Sequence, residues 1–262
     1  MTPKRMSVVK NRLSKSALTK EQKQRILGKV ARAEVNSLGK PVFLNDRILF
    51  LGKSRNWKFS LKDVQRLCIL AKQNPKAFAE ALGIQDKSAS REVKRLGLPA
   101  RSISSMQVGR FASALGEHAG LFAKTLARTK DGTRLFVQGL NGSELSWFIG
   151  GLKEQILGFT KELGPTTGDF ASGLTNDSAV RFASALTPGT AELFAEGLGQ
   201  NAVAFFRGLS VSVAFFANGL NPVKAKGFRK GLNKTKQTVA VYNDLKARGI
   251  SREIRSALTG SY

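Results

Sequence analysis

The sequence predicts an all-α chain: an α-solenoid of short helical repeats, 11–14 residues each, behind a basic amino-terminal module with a small β-hairpin. Two patterns carry this reading. First, Phe recurs with Leu four residues later at Phe111, Phe122, Phe136, Phe148, Phe159, Phe170, Phe182, Phe194, Phe205, Phe216 and Phe228, with a further copy at Phe78. The residue before that Leu is Gly or Ala in ten of the twelve copies, Thr125 and Glu162 being the exceptions. Second, helix start and stop residues fall between copies, so the period belongs to many short helices and not to one long one.

Taken in chain order, residues 1–60 form a basic arm and a small module. The first twenty residues carry Lys4, Arg5, Lys10, Arg12, Lys15 and Lys20 and no acid. This composition suits a flexible arm on phosphates, and also an organelle transit segment. Glu21 to Val35 has helical spacing (Ile26, Val30, Ala33), and Val42 to Leu51 clusters apolar residues around Asn45 and Asp46, as in a short hairpin. Lys53, Arg55, Trp57, Lys58 and Phe59 then interleave bases with aromatics. Such a run stacks on nucleobases while its neighbours hold phosphate, or it anchors the hairpin to the helices that follow.

Residues 61–100 read as helical. Within them, Asn74 to Leu98 has an Ala-rich first segment, Leu82-Gly83-Ile84 at a turn, and a second segment ending in Lys94, Arg95, Leu96 and Gly97. This stretch resembles a helix-turn-helix of the Fis type. The resemblance implies a second helix entering the DNA major groove, with Gln85, Lys87, Ser88, Ser90, Arg91, Lys94 and Arg95 as contact candidates. Asp86 and Glu92 carry the wrong charge for that role, and Ala89 stands where the family keeps a larger apolar residue. A second reading is open on the same residues: Phe78 to Leu82 is the first solenoid helix and Glu92 to Leu96 a degenerate second unit.

Residues 101–232 are the repeats proper. Phe and Leu are one helical turn apart, and the residue three before Phe is usually apolar, so three positions share a face. The small residue before Leu lets a neighbouring helix approach, offsetting the roughly 1 kcal/mol that Gly costs a helix against Ala. Asn141, Thr175, Thr187, Asn201 and Asn221 are start signals, and Pro188 and Pro222 suit first-turn positions. Each unit is thus a helix of about eight or nine residues, too short to be stable alone in water. Two units are expected to form one helical-hairpin layer. Residues 233–262 extend the period through Val241 to Leu245 and Ile254 to Leu258 as a basic cap.

The chain has 43 Lys and Arg against 18 Asp and Glu, a net charge of +25. The charge is uneven: residues 1–100 hold 23 bases and 7 acids, residues 101–220 hold 10 and 9, and residues 221–262 hold 10 and 2. A field of this size attracts polyanions, and nucleic acid is the commonest. The neutral array is then a frame or a protein-docking surface, and the ends make the contacts. At the carboxy-terminal end the candidates are Lys226, Arg229, Lys230, Arg252 and Arg255. The expected partner is nucleic acid, DNA or RNA, with a protein partner on the solenoid as a further expectation; no membrane span is expected, since the uncharged run Gly208 to Val223 is short of the roughly 20 residues needed to cross.

No catalytic site is expected. His118 is the one His and Cys68 the one Cys, so neither has a partner of its kind for a metal site, and the glycines are spread one per repeat instead of forming a phosphate loop. No cofactor or metal is implied. The chain is expected to be intracellular, in the cytoplasm or nucleoid, with an organelle or a host cell as the other destinations. Its function is expected to be non-enzymatic nucleic-acid binding; the alternative is an assembly factor, a peripheral ribonucleoprotein component or an effector, that uses the solenoid face.

Overall fold

Fifteen helices of the described chain sort into three columns of five, because each packs against the third helix along. The structure is a computed structural model describing residues 42–44, 47–49, 58–83 and 100–260. Contacts divide the chain between Trp57 and Lys58. The first unit contains a two-stranded antiparallel ribbon, β1 (Val42–Leu44) with β2 (Arg47–Leu49), in which Phe43 pairs with Ile48.

In the second unit the first column is α1 (Leu61–Gln73), α4 (Ala119–Ala127), α7 (Ile156–Leu163), α10 (Pro188–Leu198) and α13 (Pro222–Lys234). The second is α2 (Pro75–Gly83), α5 (Gly132–Gly139), α8 (Thr167–Ser172), α11 (Ala202–Leu209) and α14 (Thr238–Ala247). The third is α3 (Ala100–Leu115), α6 (Gly142–Leu152), α9 (Asn176–Ala185), α12 (Val213–Gly219) and α15 (Arg252–Thr259). The expected layer of two units is therefore corrected to three. Each corner turns the chain only part of the way back, so a circuit closes after three helices.

The motif residues explain the contact. All twelve Phe side chains are buried, and from Phe111 to Phe228 each ring meets the next edge-on at 5.0–6.3 Å between centroids. Edge-on pairs add about 0.5–1.5 kcal/mol each beyond the area they bury. Phe78 belongs to the same stack, at 5.9 Å from Phe111 and 5.8 Å from Phe122. The Gly before Leu lies on the residue that follows Phe three helices earlier: Gly151 on Ala112, Gly173 on Val137, Gly197 on Thr160, Gly208 on Ala171, Gly219 on Ala183 and Gly231 on Ala195. Gly139 meets Ala79 in the same way, so α2 takes the place of a repeat helix.

Two kinds of corner account for the spacings of 11 and 12 residues; the single spacing of 14, from Phe122 to Phe136, has a longer corner in which Asp131 is left-handed, φ 54°. Where Phe residues are 11 apart, the residue after Leu turns left-handed and a short 3-10 turn follows: Gly116, Lys153, Gly164, Gly199 and Ser210, with φ from 48° to 51°. Lys153 and Ser210 adopt this positive φ, with ψ of −128° and −117°, without glycine's freedom, at a cost of about 1–3 kcal/mol each. Where Phe residues are 12 apart, the chain instead extends into an N-cap: Asn141, Thr175, Thr187 and Asn221 accept from the N–H of Glu144, Ser178, Thr190 and Lys224. The first three are closed as capping boxes by the side chains of Glu144, Ser178 and Thr190. Asn201 falls inside a 3-10 turn and makes no side-chain cap, which corrects its reading as a start signal.

Helices α10, α11 and α12 with their corners give a helical run, Pro188–Gly219, of mean hydropathy 1.4 in its most apolar window. By length and composition alone it is sufficient to cross a membrane. It bends at Gly199 and Ser210, and half of that window is buried inside the protein.

Candidate nucleic-acid interface

The last circuit differs from those before it at one position. The residue after Phe is small in most earlier helices, where the next circuit must land. In α13, α14 and α15 the equivalent residues are Arg229, Tyr242 and Arg255. Their side chains close the stack: Arg229 Nη1 donates to the Ser256 carbonyl at 3.2 Å, Arg255 Nη1 donates to the Ile250 carbonyl, and the Arg255 guanidinium sits 5.3 Å from the Tyr242 ring centre. Arg255 Nε is buried and has no hydrogen-bond partner. Arg229 and Arg255 are thus half-buried and partly engaged by backbone, which narrows their expected role as phosphate ligands.

Lys226, Lys230 and Arg252 are exposed, and among the described residues none of the three forms an ion pair. Lys226 and Lys230 lie one turn apart on α13, and Arg252 opens α15, which packs against α13. Glu253, next to Arg252, is held below the usual carboxylate range chiefly by its own backbone N–H and by the Ser251 hydroxyl, with Arg252 and Arg255 adding to the effect.

Other bases of this end hold the fold together, which the sequence reading did not separate from the rest. Lys234 Nζ bridges Glu192 at 2.7 Å and Glu196 at 3.1 Å across the α10–α13 contact. Its hydrogen bond to Glu192 raises the Lys234 pKa and lowers that of Glu192. Arg248 donates to the carbonyls of Phe206 and Ser210, at the corner where Ser210 is left-handed, and Arg207 reaches Asp244 at 2.6 Å. Lys224 Nζ caps the Ser184 carbonyl at 2.6 Å. A base spaced about 38 residues from an acid or a free helix-end carbonyl was the signal for these ties.

Within the array some charges are matched locally, Lys124 with Glu162 at 3.1 Å, Arg134 with Asp131 at 3.0 Å and Arg181 with Asp177 at 2.9 Å, while Arg110, Arg128, Lys130, Lys153 and Lys161 are exposed and enter no ion pair among the described residues. Exposed pairs of this kind contribute little stability, about 0–1 kcal/mol; the array is nearly neutral because its ten bases are matched in number by nine acids.

Lys58 is exposed, its methylenes lying over Gly116. Phe59, beside it, is buried at 5.8 Å from Phe111, so it anchors the helices and is not a stacking platform. Lys4, Arg5, Lys10, Arg12, Lys53, Arg55 and Trp57 lie outside the described residues, as do Lys87, Arg91, Lys94 and Arg95 of the helix-turn-helix resemblance. Cys68 is buried beside the Leu121 carbonyl, and burial raises its thiol pKa, with Thr125 opposing. Among the described residues no three His, Cys, Asp or Glu side chains gather as a metal site would need.

Comparison of the chain with family models, with curated proteins and with solved structures gives no match.

Proposed function

We propose that this chain is a non-enzymatic, nucleic-acid-binding α-solenoid of three helices per turn, its basic ends contacting phosphates and its repeats setting their spacing. It is read as working inside the cell, in the cytoplasm or nucleoid, with the amino-terminal arm and a hairpin-based module as the second basic element. The observation that supports this best is the contrast in how bases are used. In the array ten bases are nearly balanced by nine acids, and several pair with them, as Lys124 does with Glu162 and Arg134 with Asp131. On the last circuit bases far outnumber acids, and Lys226, Lys230 and Arg252 stand exposed and outside ion pairs. Whether residues 74–98 also read duplex DNA, as the helix-turn-helix resemblance implies, is a separate part of the proposal.

The test is fluorescence anisotropy with labelled RNA and DNA across a salt series. Binding should weaken steeply with salt, and Lys226→Gln, Lys230→Gln and Arg252→Gln together should flatten the slope of log K against log salt by about 2–3, since each lost phosphate contact removes roughly 0.7–0.9. A slope unchanged by the triple variant, or absence of binding to either polymer, refutes the reading. If Arg91→Ala, Lys94→Ala and Arg95→Ala lower duplex and single-strand affinity alike, the helix-turn-helix part fails alone.

One feature favours docking of a protein on the array: Ile69 on α1 and Leu121 on α4 are exposed on helices that pack together. A stoichiometric protein partner that survives nuclease treatment and is lost on Ile69→Asp would support that second reading.

A further inference from the structure

The three-column arrangement aligns residues that the linear sequence scatters. In the third column the residue immediately before the buried Phe is Arg110 on α3, Trp147 on α6, Arg181 on α9 and Phe215 on α12. All four are exposed, Trp147 by 47% and Phe215 by 39%. The same position in the other two columns is filled by Leu121, Gly158, Leu193 and Gly227, and by Leu135, Asp169, Ala204 and Ala240, so bases and aromatics alternate along one column alone.

The backbone beneath is shaped to this row. Gly109 leaves room for the Trp147 ring, whose Cε3 stands 3.1 Å from where a methyl group would be, and Gly142 leaves room for Arg181. Three residues further along each helix the exposed positions are Ser113, Gly150, Ser184 and Asn218, small and uncharged. Along α3, α6, α9 and α12 acids do little to oppose a polyanion, and the row ends at α15, where the exposed Glu253 takes the equivalent position. Glu144 is buried in its capping box, and Asp177 takes the Arg181 Nε at 2.9 Å while the terminal nitrogens of Arg181 remain without a partner among the described residues.

We propose that this row is a binding track for single-stranded nucleic acid, with Trp147 and Phe215 as stacking platforms for two unpaired bases and Arg110 and Arg181 as the cations between and beside them. Packed helices lie about 8–10 Å apart, so the two platforms are roughly 16–20 Å apart with Arg181 midway. Bases that reach both must be separated by intervening nucleotides, whose phosphates pass Arg181. Stacking on exposed aromatics beside arginines is tolerant of sequence and demands unstacked bases, which selects single strands over duplex. The proposal rests on the nucleic-acid reading above and moves part of the binding onto the array itself.

Quenching is followed in the full chain with Trp57→Phe, which leaves Trp147 as its sole tryptophan, and binding itself is measured on the unsubstituted chain, because Trp57 is a stacking candidate of its own. An unlabelled oligouridylate titrated at low salt should quench Trp147 emission, and a duplex of equal length should not. Trp147→Ala and Phe215→Ala should each weaken single-strand binding, followed by anisotropy, about five- to a hundredfold, whereas Trp147→Phe should stay within a few fold of the parent; circular dichroism confirms that each variant is folded. Unchanged emission while salt-sensitive binding persists overturns the track and leaves the basic-end reading standing. Equal quenching by duplex also overturns it, and failure to bind any nucleic acid overturns both.

Discussion

Gly150 and Gly151 are neighbours in α6, yet replacing each by Ala should move stability in opposite directions. At Gly150 a methyl group meets nothing within 4 Å, so the variant gains up to about 1 kcal/mol of helix propensity. At Gly151 the methyl group runs into the Gly109 carbonyl oxygen and comes within 2.9 Å of Ala112 Cβ and 3.0 Å of the Gly109 carbonyl carbon, well inside the 3.4 Å at which ordinary contact begins. Two of these atoms are backbone, so α3 and α6 must separate, lifting Phe148 from Phe111, now 6.4 Å apart. Overpacking of this kind costs about 1–3 kcal/mol, and with no flexible side chain to yield the upper end applies. Net of the propensity gain, Gly151→Ala should lose about 2 kcal/mol. For a folded unit of this size that corresponds to roughly 4–8 °C in Tm, against a rise of about 2–4 °C for Gly150→Ala. Urea and thermal unfolding followed by circular dichroism measure both. A stabilised Gly151→Ala, or two variants that shift the same way, would refute the packing account of the repeat glycines.

Thr187→Ala removes the side-chain acceptor of the Thr190 N–H and half of a capping box, and should cost about 1 kcal/mol in urea unfolding, whereas the same change at Thr235, which only returns a bond to its own helix, should have a smaller effect. Cys68 gives a pH dependence. Its folded pKa is raised by burial, so its contribution is fully present below the unfolded thiol value and is lost as pH rises through the folded one. Stability should therefore fall more steeply above about pH 8.5–9 in the parent than in Cys68→Ala, and parallel curves for the two would refute this.

Much of the array was legible from residues alone. Phe four before Leu gives the buried stripe, and Asn141, Thr175, Thr187 and Asn221 mark helix starts because a short polar side chain satisfies an N–H that the helix leaves free. The number of helices per circuit was not legible. Repeat length sets how long each helix is, while the angle at a corner depends on one residue's φ, and Lys153 and Ser210 take the left-handed value with no glycine to announce it. The basic end was visible as a count of charges, but not which charges were engaged. Arg229 is held by the carbonyl of Ser256, which only the closed circuit brings near, and Arg255 by that of Ile250, five residues before it, in a turn whose geometry the composition does not announce. The row containing Trp147 and Phe215 escaped for the same reason, since it appears only when every third unit is read.

The corner types, which differ by one to three residues in length, mean that the columns are kept in register by counting. Removing a single helix with its corner would shift every later helix by one column. Trp147 or Arg181 would then belong to a different face from its present neighbours, and the Gly of each later unit would land on the wrong partner. Loss or gain of three helices together preserves both. Variation in the length of this array is thus quantised in whole circuits of about 34–37 residues, and a homologue of different length should differ by that amount.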